Sequence, residues 1–529
     1  MKQSNQSFRV LVLVLTTAIC LLPSLSRSAE QAAKVHPSGF EIEKIYTVPK
    51  AQQGSWVSMA VDDRGRLYCA DQGKQGIFRV TLGSATPKIE RVPVEISSAQ
   101  GLLWTFNSLY VVVNGGGIGG HGSGLYRLTD SNGDDQLDQI KTLRKMGGGG
   151  EHGPHAVVLS PNGKSLFVLG GNHTKIPEPE TSAVIRNYGE DQLLPRMPDA
   201  RGHARNIRAP GGWIAKTDPN GKSWQLYSTG FRNQYDIAFN ADGEMFTYDS
   251  DMEWDSGTPW YRPTRIYHCT SGSEFGWRTG TGKFPAWYPD VLPPALDVGP
   301  GSPTGVLSGL GAKFPSKFQH AIYAFDWTYG TIYAIHLSPE GSSYRAVKEE
   351  FVTGIPLQVT DGVIGKDGNF YFAVGGRNTP SALYRVSYVG DASTNLVKAK
   401  DSAAAKLRQL RRSIERHHGK QNPKTVDAVW KHLGHSDRFI RYAARVALEH
   451  QPVDQWQTRA LAEKDKAKAL SALLALSRQG EASQLHPILS ALKRVAEGDL
   501  SEAQRLELLR IMSLSFIRLG KPSAELATE

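Results

Sequence analysis

The sequence predicts a mainly β fold: a six-bladed β-propeller followed by a smaller α-helical domain of HEAT-like repeats. Two observations carry this. The first is a recurring hairpin. "MAVDDRGRLYCAD" (59–71), "AVVLSPNGKSLFVLGGN" (156–172), "DIAFNADGEMFTYDSD" (236–251) and "DGVIGKDGNFYFAVGG" (361–376) share one form. Each has a short apolar strand, a polar turn with Gly, an aromatic-rich second strand, then a small or acidic residue. Weaker copies are "LLWTFNSLYVVVNGG" (102–116) and "AKFPSKFQHAIYAFDW" (312–327). Strand, Asp-Gly or Asn-Gly turn, strand is the strongest short-range hairpin signal, and its repetition reads as one copy per propeller blade. The second observation is a change of period after Gly390. "AAAKLRQLRRSIERHHG" (403–419), "VDAVWKHLGHSDRFIRYAARVALEHQ" (426–451), "KAKALSALLALSRQG" and "EAQRLELLRIMSLSFIRLG" repeat apolar residues at three- and four-residue steps. That pattern gives stacked helix pairs.

The elements follow in chain order. Lys2 and Arg9 flank an apolar run over 10–22, and Ser26-Arg27-Ser28 offers a cleavage site. Residues 1–28 therefore read as a secretory signal peptide, too short for a membrane span. The expected product is exported, periplasmic or extracellular, and soluble after cleavage. Ile19 before Cys20 argues against a lipid anchor. The propeller is expected over 38–390, a linker and helix over 391–425, and the HEAT-like repeats over 426–529. Cys69 and Cys269 read as two buried thiols in strands, with a disulfide as the alternative. There is no Cys-x-x-Cys-His, so no c-type haem attaches to this chain. The formal charge of +10 is spread along all 529 residues without a Lys/Arg run, so no nucleic-acid partner is expected.

Loops at one end of the blades converge on the axis, so loop residues flanking the hairpins are the candidates for a site. In "GGGGEHGPHAVVLSPNGK" (147–164) the glycines allow close approach, and His152 and Glu151 precede an inner strand. A neutral imidazole oriented by a carboxylate takes a proton from a hydroxyl; the alternative is a histidine that hydrogen-bonds blade backbone. Arg232 and Asn233 precede another inner strand and would bind a carboxylate or quinone oxygen. Asp249, Asp251, Glu253 and Asp255 alternate, which suits Ca²⁺ or a solvated loop end. Asp130, Asn132, Asp134 and Asp138 occupy positions 1, 3, 5 and 9 of a loop like that of an EF-hand. Asp135 stands where that loop has Gly and Lys141 where it has Glu, and a plain turn is the alternative. Arg201, His203, Arg205 and Arg208 form a basic cluster that is either anion-binding or solvated.

The blocks "GEHGPHAVVLSPNGK", "STGFRNQYDIAFNADGEMF" and "FGW" (275–277) resemble the soluble glucose/sorbosone dehydrogenase family. The architecture as a whole is similar to the propeller-plus-HEAT "membrane-bound dehydrogenase" proteins of planctomycetes. The resemblance covers roughly 38–390. It implies a six-bladed propeller using pyrroloquinoline quinone and Ca²⁺. It implies His152 as catalytic base, Glu151 beside it, and Arg232, Asn233 and Gln100 near quinone and substrate. It places Ca²⁺ near Asp251 and Met252, where the family has a Gly-Pro dipeptide. Thr328 stands in place of the family's quinone-binding lysine, and Gln358 and Thr360 in place of its paired arginines. The expected function is an exported quinoprotein-type dehydrogenase of a sugar or related alcohol or aldehyde. A c-type cytochrome or other acceptor would take the electrons, and the helices would offer a surface to a protein partner. The alternatives are a degenerate propeller that binds carbohydrate or a protein, and a Ca²⁺-dependent propeller lactonase.

Overall fold

The structure, a computed structural model, describes residues 31–83, 86–194, 204, 206–250, 263–280, 282–397 and 402–528. Six antiparallel sheets, each built on four principal strands, form six blades. Their innermost strands are Trp56–Val61, Ala99–Thr105, Pro154–Leu159, Ile237–Phe239, Pro303–Ser308 and Val359–Ile364, and each touches the next around a closed ring. The outer strand of blade 6 comes from the other end of the propeller. Phe40–Thr47 pairs with Ala382–Tyr388, from Phe40 opposite Tyr388 to Thr47 opposite Ala382. Gln31–Val35 adds a further edge strand to blade 5.

The repeat explains itself locally. Asp62 Oδ1 accepts the amides of Arg64 and Arg66, both at 2.9 Å, and closes the first hairpin. Asn240 Oδ1 does the same for Asp242 and Glu244, both at 3.0 Å. Gly65 and Gly243 take φ of +81° and +72° in these turns, where a Cβ would be strained. The acidic residue ending the second strand has its own duty. Asp71 accepts from Ser55 N and Gln75 N, Asp249 from Arg232 N and Asn233 N, and Asp326 from Ser302 N and Thr328 N. Each carboxylate fixes the loop that enters its blade's inner strand.

Between neighbouring blades lie separate apolar cores. Phe246, Tyr248, Ile322 and Ile335 fill one between blades 4 and 5; Trp56, Phe78, Tyr371 and Leu383 fill another between blades 1 and 6. Cys69 and Cys269 are free, buried and in strands. The fifth hairpin copy is offset. Residues 312–315 form no strand, a short helix Ser316–Gln319 follows, and the inner strand lies earlier, at Pro303–Ser308.

The helical region runs from Ser402–Glu415 to Glu502–Arg518 around a core that includes Trp430, Leu473, Leu476, Ile488 and Ile511. Asp437, Asp465 and Ser501 cap three of its helices through their side chains. Phe439, Tyr442 and Val446 join the core between blades 3 and 4, which seats the array on the propeller. Ion pairs flank that contact: Arg510 grips both oxygens of Asp290 at 3.0 and 2.7 Å, and Arg411 lies 2.6 Å from Glu244. Burial works against the Asp290 carboxylate, but Arg510 outweighs it and holds the group well below the usual range. No helix among the described residues is long and apolar enough to cross a membrane.

Candidate binding site

One end of the axis opens into a cavity of about 360 Å³. Residues that follow the second strand contribute to its wall in four blades: Gln72, Asn114 and Trp327 directly after it, and the Gly376-Arg377 pair one residue further on. Asn233, Tyr235 and Gln100, from the loops and starts of inner strands, form more of it. At the other end lies a second chamber of about 390 Å³ with mostly apolar walls. Gln100 and Tyr235 line both spaces, and the Tyr235 hydroxyl donates to Gln100 Oε1 at 3.0 Å between them.

Two carboxylates, Asp236 and Asp361, line the lower chamber. Asp361 accepts the amide of Met59 in blade 1, and Asp236 that of Val306 in blade 5, so each stitches adjacent blades together. Burial raises both carboxyl groups above their ordinary range, and the Asp361 charge raises Asp236 further.

Asn233 is held from two sides in the mouth. Its Oδ1 lies 2.7 Å from His155 Nε2, and its Nδ2 donates to the Glu151 carbonyl at 3.3 Å. His155 is 0% exposed and its ring stacks on Tyr235 at 4.4 Å. Burial lowers its pKa to about 4, so it is neutral at physiological pH. Asn114 donates through Nδ2 to the Gly150 carbonyl, while its buried Oδ1 has no hydrogen-bond partner among the described residues.

Arg377 is the cation and Glu151 the anion among the described residues lining this cavity, and they pair across it. The Arg377 guanidinium lies 5.3 Å from the Trp327 ring, whose Nε1–H donates to the Gly375 carbonyl at 2.7 Å. Arg377 and Asn378 hold φ of +47° and +60°, a left-handed pair rare outside glycine. Ser55 pins this loop by donating to the Thr379 carbonyl and accepting the Gly376 amide, both at 2.9 Å.

The structure corrects parts of the sequence reading. His152 does not have Glu151 as its orienting group. It is 1% exposed, with Nδ1 2.5 Å from Asn172 Oδ1 and its ring beside His173. Glu151 turns to Arg377 because an opposite charge stands within reach there. Arg232 and Asn233 do not act side by side. The Arg232 Nη1 donates to Ser250 Oγ at 3.1 Å, and Asn233 alone of the two lines the cavity. The oxygens of Asp130, Asn132, Asp134 and Asp138 bond within their own loop. Asp130 Oδ1 takes the amides of Asn132 and Gly133, and Asp138 takes both amide and hydroxyl of Ser131. The loop joins the outer strands Gly124–Thr129 and Gln139–Lys145 of blade 2. No group of three His, Cys, Asp or Glu among the described residues is arranged to hold a metal ion. Asp251, Met252, Glu253, Asp255, Arg201, His203 and Arg205 lie outside the described residues, as does the expected signal peptide.

Trp327, Arg377, Gln72 and Asn114 were not singled out from the sequence. A signal existed: each lies within three residues after the second strand of its repeat.

No family model matches the chain, and no curated protein matches it. Solved structures similar to it include three sugar dehydrogenases. The PQQ-bound aldose sugar dehydrogenase of Streptomyces coelicolor is 15% identical, with 66% of this chain and 99% of that one covered and a TM-score of 0.45. The soluble aldose sugar dehydrogenase of Escherichia coli, in its apo form, is 12% identical, with coverage of 66% and 99% and a TM-score of 0.47. The PQQ domain of pyranose dehydrogenase from Coprinopsis cinerea is 12% identical, with coverage of 68% and 97% and a TM-score of 0.46. The six-bladed ring itself stands on the strand pairings given above.

The quinone implied by the family resemblance is a tricarboxylic acid. Against its negative charges the described cavity offers Arg377, already paired with Glu151, beside a wall of neutral amides and hydroxyls. Thr360 is part of that wall, with its hydroxyl donating to the backbone. The described residues therefore do not fit this cofactor.

Proposed function

We propose that the axial mouth binds a sugar or a related small polyhydroxylated molecule. The observation that supports this most is the make-up of the wall. Asn114, Asn233, Gln72 and Gln100 surround a Trp327 ring that is fixed at its Nε1 edge. Planar amides donate and accept to hydroxyls, and an indole face packs against the apolar C–H side of a sugar ring. Calorimetric titration of the full chain with neutral aldoses tests the reading. Saturable binding is expected, weakened about tenfold or more in Trp327→Ala, the equivalent of about 1.4 kcal/mol. No heat with any aldose, or equal affinity in that variant, would overturn it.

A dehydrogenase of sugars or alcohols is a second reading, favoured by one observation. Asn172 Oδ1, 2.5 Å from His152 Nδ1, fixes the imidazole in one orientation just before the inner strand of blade 3, as a general base requires. Dye reduction by the full chain with an aldose, abolished in His152→Ala, is its expected signature. We also propose export, supported by the basic start and apolar run over 10–22.

A further inference from the structure

We infer that the Glu151–Arg377 pair makes the mouth select by charge, taking a neutral sugar through two adjacent hydroxyls and rejecting sugar acids. This rests on the sugar-binding reading and deepens it.

The pair joins residues 226 apart in the chain, one on the loop before blade 3 and one on the loop after the second strand of blade 6. Both side chains are about half exposed, at 57% and 53%. Such a pair is weakly coupled in water and opens readily to a ligand. Once opened, it presents a donor fork beside an acceptor. A guanidinium gives hydrogen bonds to one hydroxyl oxygen while the carboxylate receives the proton of the next. Both charges stay compensated, because each still faces the other's dipole through the diol.

A carboxylate ligand meets the opposite situation. It gains Arg377 only by displacing Glu151, and it then sits beside an unpaired negative charge. No second cation among the described lining residues relieves that repulsion. The geometry is held rather than accidental. The Glu151 carbonyl is fixed by Asn233 Nδ2, the Arg377 amide donates to Gln72 Oε1, and the guanidinium lies over the Trp327 ring. Two other blades and the ring that would carry the sugar's apolar face thus set the position of the charge reader.

The test compares glucose, galactose and xylose with glucuronate and galacturonate by calorimetry, on the wild type and on Glu151→Gln and Arg377→Gln, at low and high salt. The wild type is expected to bind at least one neutral sugar about tenfold or more tighter than its acid. In Glu151→Gln the gap should close or reverse, through a gain in affinity for the acid. High salt should narrow the gap in the wild type and in Arg377→Gln, the two proteins that keep the Glu151 carboxylate. In Arg377→Gln, neutral-sugar affinity should fall severalfold while the acid stays excluded. A gap that persists in Glu151→Gln, or a wild type that prefers the acid, would overturn charge selection while leaving sugar binding intact. Absence of binding by all five probes would overturn the sugar reading and this inference with it.

Discussion

His155 shows how a residue far below the surface governs one at the site. Its Nε2 holds Asn233, and its ring supports Tyr235. Its folded pKa of about 4 lies below the ordinary 6.5, because burial opposes the charged form. The unfolded chain therefore binds a proton first as pH falls. The stability contributed by the neutral ring is complete above about pH 6.5 and is lost between there and pH 4. That window corresponds to about 3 kcal/mol for the group. The pH dependence of the urea midpoint should be shallower in His155→Gln than in the wild type over this range; an identical slope would rule the group out as its source. The sequence made the loop carrying Glu151 and His152 visible, because glycines and titratable groups before a strand are conspicuous. It did not show direction. Neighbours such as Arg232 and Asn233 diverge according to partners brought from distant blades, Ser250 for one and His155 for the other.

At the scale of the element, the hairpin repeat was legible because its period and its turn residues are local. Asx-closed turns at Asp62 and Asn240 need only a few consecutive residues. The fifth copy misled because a short helix, Ser316–Gln319, separates its first two strands. The acid ending the second strand is a structural device, and blades differ in what surrounds it. Asp71 holds two amides, whereas Asp249 holds two amides and also the buried Lys283 ammonium at 2.6 Å. Asp71→Asn should cost about 1–3 kcal/mol, the loss of good acceptors for buried donors. Asp249→Asn should cost about 3–5 kcal/mol, because it also removes the carboxylate that pairs with a buried ammonium. Chemical denaturation of the two variants measures the difference, and equal losses would deny the lysine that weight.

For the whole molecule, the helical array and the propeller are bound by charge as well as by apolar contact. Asp290 on the propeller side is 1% exposed and Arg510 on the helical side 3%. Removing the arginine strips the buried carboxylate of both its guanidinium hydrogen bonds and leaves it Arg478 at 4.0 Å, so Arg510→Met should cost about 3–5 kcal/mol. Scanning calorimetry should then resolve the helices melting ahead of the propeller; one unshifted transition would contradict this. The sign of the acid response follows from the carboxylates. Asp290 and Glu244 are both held low, so their contribution is present above the ordinary carboxylate range and fades as pH falls through it. The ring has a further consequence in time. Blade 6 is finished by Phe40–Thr47, a strand translated before any other principal strand of the blades, pairing with Ala382–Tyr388. At the usual pace of synthesis of roughly 5–20 residues per second, that strand waits about 20–70 s for its partner to be made. Throughout that interval the nascent chain carries an unmatched β edge, and whatever shields it on the ribosome decides how much of the protein reaches a closed circle.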